Sequence, residues 1–414
     1  MPPAESSTDV LVIGAGPGGA AAAAWTAASG LETLLADAAV FPRDKPCGDG
    51  LTPRAIAELR RLGLSEFLLG RGTNWGLRAH GFGQTLHLPW PGGSLPATGS
   101  AAPRTELDHA ILGAAQRRGA QLLPGAKAVA VQRGAGDAVR SVTLHTAEGP
   151  RTVACRRLIV ADGARSTAGR LLGRTWHRDT AYGVAVRAYM RSDRGDDPWI
   201  SSHLELRDGN DEILSGYGWV FPLGGDRVNI GVGTLATERQ PASVHLRSLL
   251  QHYVDQRRGD FALQGKVAGV WSALLPMGGA VSGVAGPNWV LIGDAAGCVN
   301  PLNGEGIDYA LETGRLAAAL FTAQSGGYAT VWPESLTQHY GAAFSIARRL
   351  AGLLTVPGLL PALGPWGMRS RTLMTIALRL MGNLVTADDA DAVAALWRRA
   401  GRLSLHADPR PPFR

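Results

Sequence analysis

The run Asp9-Val10-Leu11-Val12-Ile13 leads without a break into Gly14-Ala15-Gly16-Pro17-Gly18-Gly19. Consecutive apolar residues with no polar alternation suit a strand buried on both faces of a parallel sheet. Gly14, Gly16 and Gly19 carry the GxGxxG spacing. The first glycine permits a tight turn, the second lets the backbone approach a pyrophosphate, and the third lets the next helix lie against the strand. An alanine-rich helix is expected from about Gly18 to Ser29, with an N-terminus that favours negative charge. A second strand, Glu32 to Ala36, ends at Asp37, where a carboxylate accepts from a ribose hydroxyl. Strand, turn, helix, strand and terminal acid together predict dinucleotide binding on a βαβ unit.

The chain around this unit has 414 residues, enough for a large core shared among about two or three domains. Hydrophobic residues at 45% and charged residues at 18% exclude a disordered chain. The formal net charge of +7 is almost all arginine, since Lys occurs only at Lys45, Lys127 and Lys266. These arginines fall as scattered pairs without aromatic interleaving or a helix-turn-helix pattern, so no nucleic-acid partner is expected. A lipid surface or an anionic cofactor suits the charge better. Cys47, Cys155 and Cys298 are odd in number and far apart. They suggest neither a disulfide framework nor a zinc site, and a reducing, cytoplasmic compartment. The histidines show no ligand spacing, so no metal is expected. Met1 to Asp9 lacks the basic and then apolar order of a signal peptide. Val10 to Leu31 and Leu350 to Met368 are uncharged, but neither reads as a membrane span. Glycines and Pro17 interrupt the first, and Pro357, Pro361 and Pro365 the second.

Helical patterns recur at Pro53 to Leu62 and Glu106 to Arg118, separated by a Pro/Gly-rich loop from Leu88 to Pro103. Alternating runs at Thr152 to Val160, Ala181 to Met190, Ile200 to Leu206, Tyr217 to Phe221 and Arg227 to Val232 predict an antiparallel sheet. A strand at Trp289 to Ile292 and a helix near Gly304 to Ala323 follow, and from about Gln338 the chain reads as mostly helical. The expected fold class is α/β. A discontinuous Rossmann-type domain (1–75, 104–180 and 275–330) is interrupted by a sheet-rich substrate domain (76–103 and 181–274). A helical C-terminal region covers 331–414.

Two further motifs bear on the cofactor. Leu158-Ile159-Val160-Ala161-Asp162-Gly163 ends one strand in an acid, and Val290-Leu291-Ile292-Gly293-Asp294 ends another, with Pro301-Leu302-Asn303-Gly304-Glu305-Gly306 close behind. Each acid falls at the carboxyl end of a strand, in the crevice where α/β sheets bind ligands. In this order after a glycine fingerprint, the motifs resemble flavoproteins of the para-hydroxybenzoate hydroxylase type. The resemblance implies FAD, bound at Gly14, Gly16, Gly19, Asp37, Asp162 and Gly293. It implies Asp294 on the ribityl chain and Arg104 at the ribose or pyrophosphate. Gly304 and Gly306 would present backbone N–H groups to the flavin N1–C2 carbonyl, which is anionic when the flavin is reduced. The arginine this pattern calls for comes one residue late, as Arg170 behind Gly169.

Substrate motifs follow. Lys45-Pro46-Cys47-Gly48-Asp49-Gly50 lies just after the second strand. Tyr217-Gly218-Trp219-Val220-Phe221-Pro222 is followed, eight residues on, by Gly231-Val232-Gly233. Both resemble the geranylgeranyl reductase family, whose signature is YxWxFP and then GxG. Arg379 to Thr386 and Pro411-Pro412-Phe413 also look like actinobacterial members of that family, menaquinone reductases among them. From the residues alone, Tyr217, Trp219 and Phe221 share one strand face as an aromatic wall, either a sandwich core or the side of a ligand cavity. Pro222 and the paired glycines Gly231 and Gly233 favour a ligand. Cys47 is either a small buried hydrophobe or a group facing the flavin.

The resemblance implies an FAD-dependent reductase of carbon–carbon double bonds in a prenyl chain of the menaquinone or geranylgeranyl type. Hydride would leave the reduced flavin N5, with a proton from Cys47, Tyr217 or water. NAD(P)H or a separate donor protein would supply electrons, because the chain carries a single dinucleotide fingerprint. The alternative is a tailoring oxidoreductase (hydroxylase, dehydrogenase or halogenase) on the same fold. A halogenase would carry WxWxIP where this chain has YxWxFP. A lipid-borne substrate further implies peripheral contact with a membrane, through Leu350 to Leu363 and the nearby Arg348, Arg349, Arg369, Arg371 and Arg379.

Overall fold

The computed structural model describes residues 6–241, 245–356 and 358–414. Met1 to Glu5 and Pro357, to which the signal-peptide and span readings refer, lie outside the described residues. The first strand, Ser6–Ile13, sits mid-sheet and pairs parallel with Thr33–Ala36 on one side and Gly149–Val160 on the other. Val10, Leu11 and Val12 are fully buried, as an uninterrupted apolar run requires. The helix Pro17–Ala28 follows, and its residues Ala20 to Ala24 are all inaccessible. Small side chains let the helix Ile307–Ala323 lie close against it. A Cβ on Gly314 would stand 2.6 Å from the Gly18 carbonyl oxygen.

Gly149–Val160 is longer than its expected run and joins two kinds of pairing. Its first half is antiparallel to Val139–Thr146, and its second half is parallel to Ser6–Ile13 and Trp289–Leu291. The strand grouped by its alternation with the antiparallel sheet therefore belongs to the nucleotide-binding sheet. The polar alternation marks its outer half, while Leu158 to Val160 are buried on both faces.

Among the described residues the second sheet has eight strands. Tyr182–Ser192, Arg227–Ala236, Gly216–Pro222 and Trp199–His203 are neighbours in that order, and all three pairings are antiparallel. Gly76–Gly81 continues the sheet beside Trp199–His203 in parallel, with Gln84–Pro89 folded back on it. One face packs on the helix Leu246–Arg257, burying Val186, Val220, Ile230 and Tyr253. The other face looks toward the glycine turn and the C-terminal helices.

The C-terminal region divides. Tyr328, Trp332, Leu336, Tyr340 and Phe344 join the core of the first sheet, together with Phe413 at the chain's end. Beyond them, Leu359–Met368 and Arg371–Met381 lie against the second sheet with few buried residues. No single helix among the described residues is long and apolar enough to cross a membrane. Tyr328–Leu354 and Leu359–Met368 have that composition only together, across a bend of 112°.

Candidate active site

The glycine turn is set by backbone contact. Gly14 has φ 99°, and a Cβ there would lie 2.7 Å from the Ala161 carbonyl carbon. A Cβ on Gly19 would collide with the Gly14 carbonyl oxygen. Above Gly16 the space opens onto two guanidinium groups, Arg43 Nη2 at 3.4 Å and Arg104 Nη2 at 3.9 Å from a Cβ placed there. Both arginines bond one carboxylate. Arg104 Nε donates to Asp108 Oδ1 and its Nη2 to Oδ2, each at 2.7 Å, and Arg43 Nη1 donates to Oδ2 at 2.7 Å. Two cations on one anion leave a net positive charge facing the turn, beside a helix N-terminus with no acid in its first turn. Arg43 was not foreseen. Asp37 closes the unit by accepting from Ala15 N at 2.6 Å and Ala39 N at 2.7 Å, so its carboxylate braces the turn.

The two strand-end acids differ. Asp162 accepts from Ser166 Oγ at 2.5 Å and Ala168 N at 2.8 Å, capping the short helix Thr167–Leu171. It does not line the cavity; Gly163 and Ala164 beside it do. Arg170 is exposed and bonds its own loop at the Arg165 carbonyl. The buried arginine here is Arg174, whose Nε donates to the Ala295 carbonyl at 2.5 Å and so ties the two strand-end motifs together. Asp294, in contrast, faces the cavity. Its Oδ2 meets Lys45 Nζ at 3.2 Å, and a Cβ on Gly306 would crowd its Oδ1 at 3.2 Å. Gly306 precedes the helix Ile307–Ala323, which has no side-chain cap on its first two N–H groups; the Tyr309 N–H is taken by Asp308 Oδ1 at 2.8 Å, which leaves those of Ile307 and Asp308 to face an anion.

A cavity of about 690 Å³ runs from Gly16 and Arg104 past Asp294 and Gly306 to the second sheet. There Tyr217, Trp219 and Phe221 point inward as expected, with ring centroids 5.8 and 6.2 Å apart. They stand opposite Gly233, Gly231 and Asn229 on the next strand. A Cβ on Gly231 would lie 2.6 Å from Trp219 Cε2, so glycine is what lets the indole lie across its neighbour. The rings line a cavity rather than fill a sandwich core.

Cys47 also lines the cavity. Burial pushes its thiol upward from the ordinary range, against the opposing pull of Arg104. The thiol therefore keeps its proton at neutral pH. Tyr217 differs, because its Oη already donates to the Asn303 carbonyl at 2.6 Å. No group of His, Cys, Asp and Glu suited to a metal ion occurs among the described residues. On the far side the cavity is bounded by Leu363, Trp366, Leu373 and Met381 of the C-terminal helices.

These features fit FAD. A cationic, glycine-rich turn suits a pyrophosphate, a carboxylate at Asp294 suits ribityl hydroxyls, and the uncapped helix start at Gly306 suits the anionic edge of a reduced flavin.

Comparison with known proteins agrees. Residues 7–201 match the family described as FAD binding domain. The chain is 59% identical over 408 residues to a menaquinone reductase of Mycolicibacterium smegmatis, covering 98% of each. Among solved structures, a geranylgeranyl bacteriochlorophyll reductase-like protein from Thermoplasma acidophilum is similar with TM-score 0.74 at 20% identity. The match covers 97% of this chain and 98% of that one. The flavin-dependent brominase Bmp2 is similar with TM-score 0.72 at 19% identity, covering 97% of this chain and 100% of its own. At such identities the likeness is one of fold.

Proposed function

The chain belongs to the menaquinone reductase family of FAD-dependent oxidoreductases, and from that premise we propose that it saturates carbon–carbon double bonds in the prenyl side chain of a menaquinone-type quinone. One observation carries the reading. A single apolar cavity joins the cofactor-facing residues Asp294 and Gly306 to the Tyr217–Trp219–Phe221 wall and continues between the C-terminal helices. Such a passage suits an extended hydrocarbon chain threaded past the flavin.

FAD, when bound and reduced, supplies the electron pair that saturates the bond. It would be held by the turn at Gly14, Gly16 and Gly19, by Arg43 and Arg104, and by Asp294, Gly304 and Gly306. Tyr217, Trp219 and Phe221 hold the isoprene unit flat and keep water away from it. The alkene also needs a proton, and Cys47 Sγ is the group we assign to deliver it. Its thiol is protonated and borders the cavity, whereas the Tyr217 hydroxyl proton is engaged by Asn303. A transiently bound NAD(P)H or a separate donor protein would supply the electrons.

The substrate would be drawn from a membrane surface. Trp366 is 73% exposed and Leu363 59%, and both also line the cavity. No Asp or Glu occurs between Glu334 and Asp388. Of the five arginines expected to meet headgroups, three are otherwise engaged. Arg348 is buried and bonds Asp408 at 2.7 Å, Arg379 bonds Asp389 and Asp391, and Arg349 Nη2 donates to the Ser404 and Ala407 carbonyls at 3.2 and 2.7 Å. Arg369 and Arg371 are exposed, and Arg369 lies 6.0 Å from the Trp366 ring. A peripheral, cytoplasmic-face location follows from this reading.

The test is to incubate the holoenzyme, a reductant and menaquinone, then weigh the quinone by mass spectrometry. A gain of two hydrogens per saturated bond is expected. A gain of one oxygen would assign the enzyme to the hydroxylases instead.

A further inference from the structure

The loop from Asp44 to Gly50 carries Cys47 and lies flat on the aromatic wall. A Cβ on Gly48 or Gly50 would meet Phe221 Cε2 at 3.2 or 3.1 Å. What fastens loop to wall is a buried polar cluster. Asn229 stands opposite Phe221 in the sheet and is wholly inaccessible. Its Oδ1 accepts from Trp219 Nε1 at 2.9 Å. An indole N–H is a donor only, so this bond dictates which way the amide points. Asn229 Nδ2 is thereby turned to the loop, donating at 2.8 Å to the Cys47 carbonyl and at 2.8 Å to Asp49 Oδ2.

Asp49 completes the cluster. It is also wholly inaccessible and has φ 65°, a left-handed conformation that a non-glycine residue keeps only when its surroundings hold it. Its Oδ2 accepts a second bond, from Tyr189 Oη at 2.7 Å, and its backbone N–H donates to Cys47 Sγ at 3.3 Å. Oδ1 is buried with no hydrogen-bond partner among the described residues. Two bonds on one oxygen fix Asp49 to the wall, and its backbone N–H carries that fixation to the Cys47 sulfur.

We propose that Asn229 is a positioning residue that, acting through Asp49, sets where the Cys47 thiol stands relative to the Trp219 wall. This rests on the assignment of Cys47 as proton donor. The amide reads wall and loop at once, so moving either shifts the thiol against the bound chain. Misplacement of about 1 Å in such a geometry costs on the order of a hundredfold in rate.

The experiment compares Asn229→Asp, Asp49→Asn and the double variant as holoenzymes. In Asn229→Asp two carboxylates face each other, and the Asp49 oxygen loses its amide donor. The expected result is a kcat reduced at least about tenfold, with KM changed less than about threefold and flavin retained. The double variant exchanges donor and acceptor. The amide introduced at position 49 can donate to the carboxylate introduced at position 229, and that carboxylate still accepts from Trp219. The double variant should recover part of the lost kcat, because the bond between positions 49 and 229 is restored while the Cys47 carbonyl stays without its amide donor. Alkylation of Cys47 by iodoacetamide, followed by peptide mass spectrometry, should quicken in Asn229→Asp and return toward the parent rate in the double variant. Cys155 and Cys298 are buried and serve as controls. Unchanged kcat and alkylation in Asn229→Asp would overturn the proposal. So would a double variant no better than the single one, or one that fails to hold flavin. If Cys47 is not the proton donor, alkylation still follows the exchange while kcat does not, which separates the two failures.

Discussion

The turn Gly14–Gly19 and the helix Leu359–Met368 border the same cavity, and they are built in opposite ways. At the turn, backbone touches backbone. A Cβ on Gly19 has no room, and Val10 to Val12 of the strand behind it are fully buried. The helix keeps a single buried residue, Met368, and turns Leu363 and Trp366 to the outside. A rigid phosphate-bearing cofactor demands the first kind of surface, because N–H groups must stand at defined points. A flexible hydrocarbon demands only an apolar surface of about the right width, which many side chains supply. The cofactor end should therefore fail sharply under substitution, and the substrate end gradually.

The sharpest failure should come from Gly19→Val. With no space for its side chain, the helix Pro17–Ala28 must move off the strand, and the purified protein should carry no flavin and melt well below the parent. Flavin retained at full occupancy would break the contrast at its stronger side. Next is Trp219→Ala, which empties the wall but leaves the turn alone. Its kcat should fall at least about tenfold, with the flavin absorbance spectrum nearly intact. The truncation also costs about 3–5 kcal/mol of stability, read by thermal melting. Loss of flavin together with activity would make Trp219 a core residue instead of a wall.

Asp294→Ala should be milder. It removes the ribityl-facing carboxylate, and FAD affinity measured by fluorescence quenching should weaken by about 1–3 kcal/mol. An unchanged Kd would remove Asp294 from the cofactor site. The smallest effect belongs to Arg369→Gln with Arg371→Gln. Flotation with anionic vesicles at low salt should show binding weaker by about 1 kcal/mol per arginine, and less difference at high salt. Equal flotation of parent and variant would leave the membrane reading without its charge component.

The same division decides what could be read in advance. The glycine fingerprint, Asp294 and the YxWxFP strand were legible because each is a contiguous stretch whose spacing is its mechanism. Arg43 was not, since it acts through Asp108, 65 residues farther on. Arg174 works on Ala295 across 121 residues, and the neighbouring Arg170 took its place in the sequence reading. Asp162 looked like a cofactor acid because it ends a strand. Its oxygens are taken up by Ser166 and Ala168, a local choice that periodicity does not reveal. The strands Lys127–Arg133 and Val139–Thr146 were missed because their outer faces carry no clean alternation. In the loop from Leu88 to Pro103, the strand Gly99–Ala101 exists only by pairing with Gly50–Leu51 and Thr73–Asn74. Asn229 hid among apolar neighbours. Only the fold brings it to Cys47.

The central claim is that electrons pass from the flavin to a carbon–carbon bond of a prenyl chain, not to oxygen. The most direct test is a single turnover without oxygen. The holoenzyme is reduced, freed of excess reductant and mixed with menaquinone, while flavin absorbance is followed and the quinone is then weighed. The oxidised flavin spectrum should return, with one side-chain double bond saturated for each flavin reoxidised. A flavin that stays reduced until air is admitted, with the quinone side chain unchanged, would contradict it.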